Sequence, residues 1–304
     1  TTLLSALLLG WLAGCGSSET TVLPPAPENP FAVHAVGDDA SFEAITWNLH
    51  NFAEDANSKE VALVAQAIAG MSADVVALQE IAQPARFDQM LEQLPGWSGY
   101  QAESDRYQNL GYVWLDSTVT VHAVREIFTG DGLAFPRSPL VLDVTWQGHA
   151  FVLINNHLKC CGDGQLDASD EGDEENRRLA AMQQLEAWID AEHPDDPVIL
   201  LGDLNDLLTD PEPHNVFEPV LSRPDRYAFA DLAVAEGPAA GWSWGPGQSH
   251  LDHILVTDEL FAALAADGAA CYTVLIDRTV DGSYRDQMSD HLPVVVVLPG
   301  AALP

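Results

Sequence analysis

Three apolar runs in this chain end on residues that can ionise or meet a phosphate oxygen. Glu80 follows Val75-Val76-Ala77-Leu78-Gln79, His157 follows Phe151-Val152-Leu153-Ile154 after two asparagines, and Asp203 follows Val198-Ile199-Leu200-Leu201-Gly202. A lone aspartate after a strand is ordinarily a turn residue. Several such ends, each with carboxylate or imidazole chemistry, form a site when a sheet delivers them to one edge. A carboxylate such as Glu80 is a hard ligand for Mg²⁺ or Mn²⁺, and Mg²⁺ in particular keeps several waters and uses few protein ligands. Carboxylates and imidazoles gathered in this way have metal- or phosphate-compatible chemistry.

The elements that must position these ends follow from hydrophobic periodicity. Phe42–Leu49 reads as a strand leading into polar Asn48. Ser58 caps a helix through Ile68, with Val61, Val64, Ala65 and Ile68 on one face. Asp74–Gln79 is a short apolar run, and Arg86–Leu94 reads as a helix. Gly111–Leu115, Val119–Phe128, Leu140–Trp146 and Ala150–Asn155 read as four consecutive strands. Glu174–Ala191 is an amphipathic helix stopped before Pro194. Val198–Leu201, Ile254–Val256 and Val294–Leu298 read as further strands, with another near Tyr272–Ile276.

The 304 residues suit one large α/β domain or two small ones, and 47% hydrophobic residues allow a sizeable core. Charge is lopsided: 46 acidic residues against 12 basic give a net charge of -34. Such a surface repels polyanions at long range, whereas phosphate-backbone binding draws on basic residues.

Leu3–Trp11 is an apolar run too short to span a bilayer and ends in Leu12-Ala13-Gly14-Cys15. This resembles the lipobox of bacterial lipoproteins. It implies an exported protein anchored to a membrane through acylated Cys15 and facing the periplasm or the exterior. The chain opens on Thr1-Thr2 without Met, so its true start is expected upstream. Residues 1–15 are read as the signal segment, 16–37 as a Pro/Ser-rich linker and 38–304 as a single domain. With Cys15 set apart, Cys160, Cys161 and Cys271 remain, and one disulfide plus one free thiol is expected. Cys271 is expected to pair with Cys160 or Cys161, with a vicinal Cys160–Cys161 bridge as the alternative.

Ile45-Thr46-Trp47-Asn48-Leu49, Leu78-Gln79-Glu80, Asn156-His157-Leu158-Lys159, Gly202-Asp203-Leu204-Asn205, Leu251-Asp252-His253-Ile254 and Ser289-Asp290-His291 resemble successive motifs of the endonuclease/exonuclease/phosphatase superfamily. They occur in that family's order and span nearly the whole domain. Each motif is weak alone; together they are specific. The resemblance implies a four-layer α/β sandwich, two packed mixed β-sheets flanked by helices.

It also implies roles. Glu80, Asn48 and Asp290 would form the metal site. His291 would act as general base, oriented by Asp252, although relatives have also been read with the residue matching Asp203 as the base. Asp203 and Asn205 would position water and phosphate, and His157 would bond a non-bridging oxygen or assist the leaving group. Arg137, in Phe135-Pro136-Arg137-Ser138, and Lys159 would contact substrate phosphate. One departure is His50, where some relatives carry an acidic residue.

The segment Cys160–Asn176 is rich in Asp, Glu and Gly, and a bound Ca²⁺ there is weighed against a solvated acidic loop. Nucleic acid is the favoured substrate, through resemblance to predicted extracellular nucleases of bacteria. Phospholipid is the alternative, with Gly241-Trp242-Ser243-Trp244-Gly245 as a small aromatic lip, and a phosphomonoester is third. From a different class, an inactive surface lipoprotein could keep the fold as a binding module. No protein partner is expected.

Overall fold

The structure, a computed structural model, describes residues 28–54, 58–103, 107–245 and 247–304. The signal segment and Cys15 lie outside the described residues. Among the described residues, twelve strands form two six-stranded sheets. The first holds β1 (Ser41–Phe52), β2 (Val75–Ile81), β3 (Trp97–Gln101), β4 (Asn109–Leu115), β11 (Ala270–Thr273) and β12 (Val294–Pro299), in the order β11-β12-β1-β2-β4-β3. The second holds β5 (Val119–Glu126), β6 (Leu140–Trp146), β7 (His149–His157), β8 (Val198–Asp203), β9 (Tyr227–Phe229) and β10 (Asp252–Thr257), in the order β5-β6-β7-β8-β10-β9. β1 pairs with β2 and β7 with β8 in parallel, and the other pairs are antiparallel, so both sheets are mixed.

The strands alternate between two buried layers because a β-strand turns successive side chains to opposite faces. On β1, Phe42 and Ala44 face the inter-sheet core, whereas Ile45, Trp47 and Leu49 face an outer layer under helix α1 (Ser58–Met71) and helix α2 (Pro84–Leu91). On β8, Ile199 and Leu201 face inward, whereas Val198 and Leu200 meet helix α3 (Glu174–Glu192) through Met182, Leu185 and Ile189. Helix, sheet, sheet and helix layers result. Phe42 of β1 stacks on Phe151 of β7 at 4.4 Å between centroids, locking one sheet on the other. Truncating such a buried ring costs about 3–5 kcal/mol.

Several boundaries differ from the sequence reading. Pro30–His34 forms a 3-10 turn, and buried Phe31 packs on α1, where a Cβ at Gly70 would come within 2.5 Å of Phe31 Cβ. The described end of the expected linker is therefore docked on the domain before residue 38. α2 starts at Pro84 rather than Arg86, β11 lies at Ala270–Thr273 rather than Tyr272–Ile276, and β3 was not expected. Cys160, Cys161 and Cys271 are all free thiols. The expected bridge to Cys271 is not formed, because that side chain packs against the inter-sheet core from β11 whereas Cys160 and Cys161 lie in the loop leaving β7. Among the described residues, no helix is long and apolar enough to cross a membrane.

Candidate active site

The ends of β1, β2, β7, β8 and β10 converge on one edge of the sandwich. Parallel pairing does part of this: Asn48 is registered with Gln79 beside Glu80, and His157 with Asp203. Antiparallel pairing adds the rest, since Asp252 is registered opposite Asp203. Gly202 permits the close passage of β8 beside β7, where a Cβ would fall 2.0 Å from the Asn156 carbonyl oxygen. Between the sheets, Gln79 Nε2 donates to Asn155 Oδ1 at 2.8 Å, and Asn155 Nδ2 donates to the carbonyls of Leu78 (3.0 Å) and Gly111 (2.9 Å). This buried amide pair fixes the strands just before Glu80 and His157. A loss of either partner would leave the other unsatisfied, at about 1–3 kcal/mol.

Asn48 bridges two carboxylates. Its Nδ2 donates to Asp203 Oδ2 at 2.8 Å and to Glu80 Oε1 at 3.2 Å, while its Oδ1 accepts from the His50 N–H at 2.9 Å. Asn48 is thus placed as a donor organising the two carboxylates, with its amide oxygen on the His50 N–H. Glu80 Oε2 accepts from the Asn51 N–H at 2.8 Å. Glu80, His50, Asn51 and Asn205 all have positive φ (61°, 48°, 56° and 57°), a left-handed backbone that persists at functional sites where surroundings enforce it.

Two imidazoles face this group. His157 Nε2 lies 3.6 Å from Asp203 Oδ2 and 3.7 Å from Glu80 Oε1. Burial, then the positive charges of Arg137 and His291, hold His157 well below the usual histidine range, so it is neutral. His291 is bonded to Asp252 Oδ2 through Nδ1 at 2.7 Å, and its Nε2 faces Asp203 Oδ2 at 3.7 Å. Burial opposes the charged ring, but Asp252 and Asp203 outweigh it and push His291 up to about 10. Asp203 is pushed up to about 7, chiefly by burial, with the His291 charge opposing and Asp252 adding to the rise.

The segment 289–291 is clamped from several sides. Ser289 Oγ donates to the Asn48 carbonyl at 2.6 Å and accepts from the His291 N–H at 2.9 Å. Trp47 Nε1 and Tyr284 OH both donate to the His291 carbonyl. Asp290 lies 3.1 Å from His50 Nδ1 and 3.5 Å from an Arg285 nitrogen. The expected aromatic lip is part of this clamp: Trp244 bridges to His291, the Gly245 N–H donates to the Asp290 carbonyl at 2.8 Å, and Ser243 Oγ accepts from the Asp252 N–H.

The donor set fits a divalent cation. Glu80, Asp203, Asp252 and Asp290 bring four carboxylates around one cleft, repulsion from Asp252 and Glu80 adds to Asp203's rise, and buried Asp252 Oδ1 has no hydrogen-bond partner among the described residues. Asp203, Asp252 and His291 also bring three possible ligand atoms within 4.8 Å of one another.

Three further expected residues surround this group. Asn205 donates from Nδ2 to the Leu158 carbonyl at 3.2 Å, tying the β8 and β7 ends together. Arg137 is held by Gln108 at the rim, close enough for its charge to act on His157. Lys159 is directed into the acidic loop, with Nζ 2.8 Å from the Cys160 carbonyl and 3.6 Å from Glu174 Oε1. The Ca²⁺ expectation gains no support. Asp163, Asp167, Asp170 and Asp173 accept bonds from nearby turn or cap N–H groups, and among the described residues no three carboxylates of that loop converge within 4.8 Å.

Two supports escaped the sequence reading. Arg178 is buried on α3, with Nε 2.8 Å from Asp206 Oδ2 and Nη1 donating to the carbonyls of Lys159 (2.7 Å) and Cys161 (2.8 Å). One guanidinium thus ties the loops that follow His157 and Asp203. His253, next to Asp252, lies between Asp231 Oδ2 (2.6 Å) and the Asp206 carbonyl (2.9 Å), and His250 reaches the same Asp231 oxygen at 3.0 Å. Both partners of His253 are acceptors, so the ring is held charged as a brace under β10.

The sequence profile of the Endonuclease/Exonuclease/phosphatase family matches residues 45–291. No curated protein matches at a significant level. Among solved structures, the chain is similar to TDP2 of D. rerio complexed with a single-strand DNA product, at 17% identity and TM-score 0.62, covering 85% of this chain and 98% of that one. It is also similar to an endonuclease/exonuclease/phosphatase family protein of Bacteroides thetaiotaomicron, at 16% identity and TM-score 0.63, covering 85% and 94%. A mannosyl-6-phosphatase of the same organism matches at 16% identity and TM-score 0.61, covering 85% and 100%.

Proposed function

Because the chain belongs to the endonuclease/exonuclease/phosphatase family, whose members are metal-dependent phosphoesterases, we propose that it hydrolyses phosphodiesters and that nucleic acid is its substrate. The observation that carries this reading is the meeting of Asn48, Glu80, His157, Asp203 and Asp252 from five strands with His291 from the segment before β12 in one cleft. Glu80 and Asp290 would hold Mg²⁺ or Mn²⁺, which when bound supplies positive charge against the phosphate oxygens. His291, kept as an imidazolium by two carboxylates, adds a second positive charge and cannot accept a proton in that state. The base is therefore Asp203, whose carboxyl lies near neutrality and whose orientation is set by Asn48. Neutral His157 donates a hydrogen bond to a phosphate oxygen or to the leaving group. Arg137 meets the phosphate from the rim.

Support for nucleic acid comes from the DNA-bound relative. The mannosyl-6-phosphatase keeps a phosphomonoester as the second reading. The net charge of -34 means that affinity for a polyanion rests on local contacts, so moderate salt should aid turnover by screening surface repulsion. A panel of DNA, RNA, sphingomyelin and a sugar phosphate, assayed across a salt series with Mg²⁺ or Mn²⁺, tests the substrate. Turnover of the sugar phosphate alone would select the monoesterase, and of sphingomyelin alone the lipid enzyme. The reading includes export and anchoring through Cys15, tested by metabolic labelling with a fatty-acid analogue and its loss in Cys15→Ser.

A further inference from the structure

Cys160 and Cys161 lie three and four residues after His157, in the loop that leaves β7. Their sulfurs are 2.9 Å apart, with the Cys161 S–H donating to Cys160 Sγ. The turn that brings them together is built by other groups. Arg178 bonds the carbonyls of Lys159 and Cys161, one on each side of the Cys160 residue, and is itself locked by Asp206 and Glu175. Glu175 Oε1 then accepts from the Gly164 N–H at 2.7 Å, so α3 pins the loop again just beyond the pair. Cys161 and Gly162 both take positive φ, 73° and 103°. Cys161 is exposed and Cys160 half-buried, so a soluble reagent reaches the pair. Cys271 packs against the core from the other sheet and does not compete.

We propose that Cys160 and Cys161 form a redox-active vicinal dithiol, a thiol-modification site at the exit of the strand carrying His157, whose oxidant is a small-molecule disulfide. The exposed Cys161 thiolate attacks one sulfur of that disulfide and releases the other half as a thiol. Cys160 then gives up its proton and attacks the Cys161 sulfur, closing the vicinal bond and releasing the second thiol. Two S–H bonds are lost and one S–S bond forms; the external disulfide takes up both electrons and both protons. Adjacent Cα atoms are about 3.8 Å apart across a trans peptide, short of the roughly 4.4–6.8 Å usual for disulfides. The ring therefore closes under strain, and strained, exposed disulfides are the labile ones. A dithiol should reopen it. The proposal stands apart from the hydrolytic activity, because its readout is the sulfur chemistry alone.

The test is differential alkylation of the native full-length protein after treatment with oxidised glutathione or with dithiothreitol, followed by digestion without reduction and mass spectrometry. Oxidised protein should yield one peptide holding both cysteines, lighter by two hydrogens and unalkylated, and dithiothreitol should return two alkylated cysteines. Cys160→Ser leaves Cys161 without a resolving thiol and should retain glutathione as a stable mixed disulfide. Alkylation of both cysteines after oxidant, a stable mixed disulfide in the unsubstituted protein, or a bridge to Cys271 would each overturn the proposal.

Discussion

Asp203 and Asp252 stand directly opposite each other on β8 and β10, and both direct an Oδ2 at the same ring: Asp252 at 2.7 Å from His291 Nδ1, Asp203 at 3.7 Å from Nε2. The two carboxylates favour the charged form of His291, and in the proposed mechanism Asp203 is the one that takes a proton.

The pH profile should follow from that arrangement. Asp203 must be ionised to act as base, so kcat/KM should rise with pH through about 7. His291 must stay protonated, so the rate should fall again toward about 10. Asp203→Asn should lose most activity and abolish the lower limb. A rate independent of pH across this range would remove Asp203 from the base role.

His157→Ala and His291→Ala should each lower kcat by ~10²-fold or more, the typical worth of such groups. Asp252→Asn keeps a partner for His291 Nδ1 while discarding its charge, so its loss should be milder. Steady-state kinetics on protein of unchanged circular dichroism measures this, and wild-type rates in either alanine variant would contradict the assignment.

Far from the site, Glu43 and Asp74 form a buried carboxyl pair, with the Glu43 N–H bonded to Asp74 Oδ2 and Ser41 Oγ 2.5 Å from Glu43 Oε1. Burial, reinforced by Asp74, raises Glu43 from 4.5 to about 8. Between those values the folded protein keeps a proton that the unfolded chain has released. Unfolding then releases a proton, and stability declines as pH rises, by up to about 1.4 kcal/mol per pH unit for one group. Glu43→Gln should flatten this decline and raise Tm at pH 8 relative to the unsubstituted protein. Thermal melts at several pH values would show it; a parallel pH dependence in both proteins would exclude Glu43 as the source.

Much of this architecture can be read from the chain because the site lies where apolar strands stop. Glu80, His157 and Asp203 each punctuate a buried run, so their position at one sheet edge follows from pattern. β3 is invisible by the same criterion: Trp97-Ser98-Gly99-Tyr100-Gln101 has no alternation, and all five residues are half-buried. The docked turn around Phe31 is hidden by prolines that read as linker. Arg178 reads as one more charge on an amphipathic helix, since its pairing with Glu175 three residues earlier looks like an ordinary surface pair, Asp206 is 28 residues away and its remaining contacts are backbone carbonyls. The role of Asn48 depends on which amide atom faces the carboxylates, and spacing carries no such information.

Arg178→Ala should be among the more destabilising substitutions. It leaves Glu175 and Asp206 buried without their counter-charge, which costs about 3–5 kcal/mol. A fall in Tm of roughly 10 °C is expected for a domain of this size. Arg178→Lys keeps the charge but cannot span both carbonyls and both carboxylates, so it should fold and still lose activity through the loosened His157 and Asp203 loops. Calorimetry with parallel kinetics separates the two effects, and full activity in the lysine variant would confine Arg178 to stability.

The central claim is metal-dependent hydrolysis of a phosphodiester with Glu80 as a ligand. Its most direct measurement is turnover of bis-p-nitrophenyl phosphate by the intact protein and by Glu80→Ala, with EDTA and then with Mg²⁺ or Mn²⁺ restored. The account predicts activity that EDTA abolishes and either ion recovers in the unsubstituted protein, and a folded Glu80→Ala variant that neither ion rescues. Full turnover in EDTA, or wild-type rates in Glu80→Ala, would contradict it.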